Sequence, residues 1–208
     1  MPSPEQKPNR SSRRRERSRA ALIDAAREMM SVKGVDATTI ADITEAADLG
    51  FGTFYNHFKS KDEIVAAAMS VMVERLGDEI DQLILPIKDP FFAQVVAWHQ
   101  VIELATTEPI WGWFVLRSSQ TLSMMNEGLM HRFRRDVEAA MVAGKFKVND
   151  VDVVASLIGA GVLSLVNGRL SGVLGDEQVK EGLALLITHL GISAEKARKL
   201  VAQPIPTM

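Results

Sequence analysis

"TTIADITEAADLGFGTFYNHFKSKDEI", residues 38–64, decides how the chain is to be read. Phe51, Phe54, Tyr55 and Phe58 crowd together here beside Gly50, Gly52, His57, Lys59 and Lys61. A core helix has no use for the lysines and the histidine; a solvated loop has none for the rings. The first half reads as a short helix over 38–48. Thr38 or Thr39 can cap it, and Asp42 follows Thr39 at capping-box spacing. Ile40, Ile43, Ala46 and Ala47 recur at helical spacing as its inner face. Asp48 stands at a turn, where Asp tolerates positive φ. In the second half Phe54 and Phe58, at i and i+4, look inward with Leu49, while Gly52, Thr53, Tyr55, Asn56 and His57 look outward. "KSKDEI" (59–64) opens a further helix, with Ser60 as cap and Glu63 three residues on. This split suits a helix-turn-helix. The inner face needs bulk because so short a helix is unstable alone. The outer face needs small residues, hydroxyls and donors for phosphates and base edges.

Upstream, a helix is expected from Arg17, with Leu22, Ile23, Ala26, Met29 and Met30 on one face and Gly34 of "KGVD" (33–36) as a left-handed stop. Residues 1–12, rich in Pro, Ser, Asn and charge, read as disordered. Net charge is only -2, but it is unevenly spread: residues 1–61 carry +3 and residues 62–208 carry -5. A basic end on an acidic body suggests a polyanion partner for the first part, or simply a solubilising tail. Downstream, the first helix runs to about Ile84, and others are expected at about 90–106, 109–122, 126–143, 149–174 and 176–191, with a loose terminal one after them. No window alternates with period two, so the class expected is all-α without a sheet. The chain holds no cysteine, which excludes disulfides, thiol catalysis and Cys-based zinc sites. The basic N-terminus has no apolar run behind it to make a secretory signal. The stretch "VVASLIGAGVLSLV" (153–166) is shorter than the roughly 20 residues that span a bilayer, so a cytoplasmic protein with no membrane partner is expected.

The ordered series Thr38-Thr39-Ile40, Glu45-Ala46-Ala47, then Gly52-Thr53-Phe54-Tyr55-x-His57-Phe58-x-x-Lys61 resembles the head of the TetR family of transcriptional regulators, over roughly residues 17–66. Thr44, Asp48 and Gly50 depart from the usual Ala, Gly and Ser or Thr of that pattern. The resemblance implies a three-helix DNA-binding head with a helix-turn-helix (17–62), preceded by a flexible basic arm (1–16) and followed by a helical ligand-binding and dimerisation domain (63–208). It implies phosphate contacts from Thr39, Thr53, Tyr55, His57 and Lys61, and base-edge contacts from Phe51 and Gly52, with Tyr55 a candidate for both kinds. Phe51 has no hydrogen bond to offer but can pack on thymine methyls; alternatively it only anchors its helix. The arm's arginines, Arg13 to Arg19, would add phosphate or minor-groove contact.

For the body, the resemblance implies a homodimer, an effector and no cofactor. The residues offer their own hints. Gly159, Gly161, Gly168 and Gly172 crowd the helix expected at 149–174, where glycine is unfavourable unless close helix–helix contact compensates. The helix at 176–191 carries Val179, Leu183, Leu186 and Leu190 in a stripe. Two such helices per subunit could form a four-helix interface about a two-fold axis, or be monomer core. Trp98, Trp111, Phe114 and Met125, with His99 and Arg117 as polar groups, form the candidate pocket for a small apolar or aromatic effector. The function expected is that of a ligand-responsive regulator, a repressor by the family's usual mode, binding a palindromic double-stranded operator as a dimer. Two other classes stand beside it. One is a helical metal enzyme built on the i, i+4 pairs His99/Glu103 and Glu127/His131, although the sequence shows no nucleophile constellation. The other is a DNA binder without sequence preference. Neither a catalytic residue nor a metal ligand is assigned.

Overall fold

The computed structural model describes residues 10–108, 111–112 and 128–206, and among these the regular elements are all helices. Two compact units emerge, Met1–Met69 and Ser70–Met208.

In the first unit, α1 (Arg10–Lys33), α2 (Ile40–Ala46) and α3 (Phe51–Tyr55) precede the start of α4 (Lys61–Ile84). α1 begins at Arg10, so residues 10–16, expected in a flexible arm, are helical. Arginine is among the better helix formers and no proline falls within Arg10–Lys33, so local propensity prevails over charge. Gly34 ends α1 at φ 80°, donating its N–H to the Met30 carbonyl at 2.9 Å. Thr39 caps α2 through a complete capping box with Asp42. Asp48 takes φ 51°, the left-handed turn conformation expected of it between α2 and α3. Leu22, Ile23, Ala26 and Met30 of α1 are buried, as are Ile43 of α2, Phe54, Phe58, and Ile64, Ala68 and Met69 of α4. Ala46, expected on the inner face, is exposed; buried Thr44 on α2 instead returns its hydroxyl to the carbonyls of Ile40 and Ala41.

In the second unit the rest of α4 is followed by α5 (Pro90–Thr107), α6 (Leu129–Val142), α7 (Val151–Leu170), α8 (Asp176–Thr188) and α9 (Ala194–Val201). The helix expected at 109–122 lies outside the described residues. α5 starts where Asp89 accepts hydrogen bonds from the N–H groups of Phe91 and Phe92, with Pro90 in the first turn. It is the central helix of this unit, packing on α7, α8 and α9. α9 is firmly docked rather than loose: Ala197, Leu200 and Val201 are buried, and Gln100 of α5 donates to the Pro206 carbonyl at 2.7 Å.

α7 ends earlier than expected, because Gly172 takes φ 72° and reverses the chain. Its internal glycines are accounted for within one chain. A Cβ on Gly161 would come within 2.4 Å of Leu186 on α8, and one on Gly182 within 2.4 Å of Leu165 on α7. Each helix thus seats a leucine over the other's glycine. By length and composition α7 is long and apolar enough to cross a bilayer, unlike the stretch 153–166 considered alone. Here one face packs on α5, α6 and α8. Val153, Leu157, Ala160 and Ser164 line the opposite, exposed face.

Candidate DNA interface and effector cavity

α3 has five residues, too few to hold itself together, and buried Phe54 fixes it to the core. The Phe54 ring lies 5.7 Å from Phe58 and 5.4 Å, edge-on, from Tyr55. This leaves Phe51 and Tyr55 outside, 50% and 55% exposed, with ring centroids 6.1 Å apart. Gly52 is exposed between them and Thr53 is half-buried. Gly50 caps α3 with no side-chain hydrogen bond. The residues proposed for base edges therefore lie on one open face.

The residues proposed for phosphates are more occupied. Thr39 donates its hydroxyl to Asp42 Oδ2 at 2.8 Å and accepts the Asp42 N–H at 3.1 Å. Lys33 donates to the same carboxylate at 2.6 Å; this bond, with those from Thr39, lowers the Asp42 pKa from 3.8 to about 2. Lys61 Nζ donates to the Asp36 carbonyl at 3.0 Å. His57 Nε2 lies 2.9 Å from Ser18 Oγ on α1. The Ser18 hydroxyl also reaches the Arg14 and Arg15 carbonyls, so its one proton is used there and His57 serves as donor. Burial, then the charges of Arg15 and Arg19, hold His57 below its usual pKa and keep it neutral. Arg19 lies 5.2 Å over the Phe58 ring, while Arg13, Arg14 and Arg17 are exposed along α1.

In the second unit one face each of α4, α5, α6 and α7 encloses a cavity of about 60 Å³. Ile80, Ile84, Ala97, Trp98, Val101, Met130, Phe133, Ile158 and Val162 supply an apolar wall, and Asp81, Gln94, Arg132 and Asp136 its polar groups. Arg132 crosses α4 at Gly77 to reach Asp81 at 2.6 Å, Asp78 at 2.8 Å and Glu74 at 3.1 Å. Arg135 holds the second Asp81 oxygen at 3.0 Å and Asp136 at 2.8 Å. Burial pushes the Asp81 pKa up, but the hydrogen bonds from Arg135 and Arg132 outweigh it and hold the carboxylate ionised. A wider groove, bounded by Leu85, Lys88, Ala139 and Ala143, shares Asp81, Ile84 and Asp136 with the cavity.

Of the expected pocket residues, Trp98 lines this cavity. His99 and Trp111 are not among its described lining residues. His99 is held neutral by burial despite Glu103 at 3.9 Å, and its Nδ1 is buried without a partner; the Trp111 ring is fully buried with its indole N–H unpartnered. Phe114, Arg117 and Met125 lie outside the described residues. Among the described residues no three His, Asp or Glu side chains converge as a metal site. Asp81, Gln94, Arg132 and Asp136 were missed from sequence. The signal that could have found them is the acidic stripe Glu74, Asp78, Asp81 at helical spacing, interrupted by a mid-helix glycine and matched by Arg132 and Arg135.

Comparison with known proteins agrees with both units. Residues 22–68 match the model for bacterial regulatory proteins of the tetR family, and residues 89–203 match a tetracyclin repressor-like C-terminal domain. The transcriptional repressor KstR2 of Mycobacterium tuberculosis is 25% identical over 146 residues, 60% of this chain and 73% of that protein. The regulator EthR of Mycolicibacterium smegmatis is 24% identical over 84% of each chain. Among solved structures, RolR in complex with its ligand resorcinol superposes with a TM-score of 0.86 at 28% identity, covering 94% of this chain and 98% of that one. The second family model alone covers more than half of the chain, and the chain belongs to the TetR family of bacterial transcriptional regulators.

Proposed function

We propose that the protein is a cytoplasmic, dimeric repressor that binds a palindromic operator and is released by a small aromatic effector. The observation that carries this reading is the pairing of an open α3 face in the first unit with an apolar, polar-tipped cavity in the second. Domain roles follow the sequence reading: residues 17–62 bind DNA, helped by the basic residues before them, and residues 63–208 bind effector and dimerise. Phe51, Gly52 and Tyr55 face base edges; Thr39, Thr53, Tyr55, His57 and Lys61 lie along the phosphates, with Thr39, His57 and Lys61 also orienting the head. A two-fold dimer would set two α3 helices about 34 Å apart, in successive major grooves. Repression is supported by the named role of KstR2.

The effector class is supported by the cavity and by RolR's resorcinol. A void of about 60 Å³ is smaller than the roughly 150 Å³ that accommodates benzene. A ring therefore enters by moving a wall, and Met130, whose Sδ lies 3.2 Å from a Cβ built on Gly159, is the adaptable one. α4 forms another wall and continues from the helix-turn-helix. A ligand that prefers the widened state shifts the population away from the DNA-binding one.

Dimerisation is assigned to α7 and α8. Val153 and Leu157 are exposed on α7, and Leu185 on α8, as apolar groups that a second copy would cover. Leu157→Arg should give a monomer by light scattering and lose operator binding, while circular dichroism stays helical. A dimer that persists in this variant sinks the assignment.

A further inference from the structure

We infer that Gln94 is the polar anchor of the cavity, selecting a small neutral aromatic ring that carries a hydroxyl. This rests on the effector reading above and adds a ligand chemistry and a residue to it.

Two glutamines are buried in α5, and they differ in what they do. Gln100 has a structural partner, donating to the Pro206 carbonyl at 2.7 Å. Gln94 is 4% exposed, lines the cavity and makes no side-chain hydrogen bond among the described residues. It shares its face of α5 with Ala97, Trp98 and Val101, all in the cavity wall. An amide that opens on a cavity and has no hydrogen bond within the chain is satisfied by whatever fills that cavity. An amide both donates and accepts, so it can take the proton of a hydroxyl or bind its oxygen. It carries no charge to offset a carboxylate. The other polar groups of the wall do not supply one either: Arg132 is already held by Asp81, Asp78 and Glu74, and Asp136 is acidic. The chemistry favours a phenol over a benzoate, and over a bare hydrocarbon ring.

The full chain is titrated with resorcinol, phenol, toluene and benzoate by calorimetry, with tryptophan fluorescence as a second readout. Gln94→Leu, the unbranched Gln94→Met and Gln100→Leu are compared with the parent. The parent should bind the two phenols more tightly than toluene or benzoate. Both Gln94 variants should weaken the phenols by about fivefold or more, leave toluene unchanged or tighter, and melt at a higher temperature without ligand. Gln100→Leu should melt lower and keep its preference for phenols. Equal binding of phenols by the parent and both Gln94 variants overturns the role of Gln94 and leaves the effector reading standing. Binding of none of the four by any protein overturns the effector reading, and Gln94 with it.

Discussion

Gly77→Ala sets two known effects against each other. Alanine is favoured over glycine in a helix interior by roughly 1 kcal/mol, and Gly77 lies within α4. Against this, a Cβ at Gly77 would overlap Arg132 Nε and stand 2.8 Å from its Cδ, so the arginine must shift from the position in which it reaches all three carboxylates. Glu74 and Asp78, 58% and 73% exposed, lose little: such pairs are worth about 0–1 kcal/mol each. Asp81 is the partner that decides the sign. Its bond to Arg132 is 2.6 Å and only a quarter of its side chain is exposed, so its loss costs about 1–2 kcal/mol. Arg135 remains on Asp81, so the least exposed of the three carboxylates keeps a partner. The net expectation is a loss of about 1 kcal/mol, where propensity alone predicts a gain. Urea unfolding of the parent, Gly77→Ala, Arg132→Met and the double variant, at one protein concentration, separates the terms. In the Arg132→Met background Gly77→Ala should stabilise by about 1 kcal/mol, giving a coupling of about 2 kcal/mol. Stabilisation of the same size in both backgrounds refutes the reasoning.

Two further outcomes are expected in the head. Tyr55→Phe keeps the ring contacts with Phe51 and Phe54 and removes only the hydroxyl, so operator affinity should fall by about tenfold with the melting temperature unchanged; a large stability loss would place Tyr55 in the core. Asp42 has its folded pKa lowered from 3.8 to about 2. Its contribution is therefore complete above about pH 4 and is lost as pH falls through about 2. Asp42→Ala should lower the melting temperature at neutral pH and flatten the acid side of the stability curve, read by circular dichroism; an unchanged acid slope contradicts the capping role.

The head was legible because its determinants are local. Thr39 and Asp42 form their box within one turn, Asp48 sets a single backbone angle, and Phe54 and Phe58 share a face by spacing alone. The start of α1 at Arg10 is less legible, because the charge of the arginine run hides its helix propensity. The cavity was less legible. Asp81, Gln94 and Arg132 come from three helices, and only the packing of those helices turns them toward one void. Trp98 was found because a large ring on an apolar helix is conspicuous by itself. The α7 glycines signal close packing by their number alone, but only the structure names their partners, Met130, Leu186 and Leu174 of the same chain. The dimer expectation now rests on Val153, Leu157 and Leu185, which one chain leaves exposed.

Fluorescence anisotropy of the purified protein against duplexes tiled across the region upstream of its own gene, extended by selection from genomic fragments, tests the central claim most directly. With a scrambled competitor near 0.15 M salt, one inverted repeat should bind selectively, by a factor of about a thousand or more, and resorcinol or a related phenol should release it. Equal affinity for every duplex would contradict the account, since it would leave a head that binds phosphates and reads no sequence.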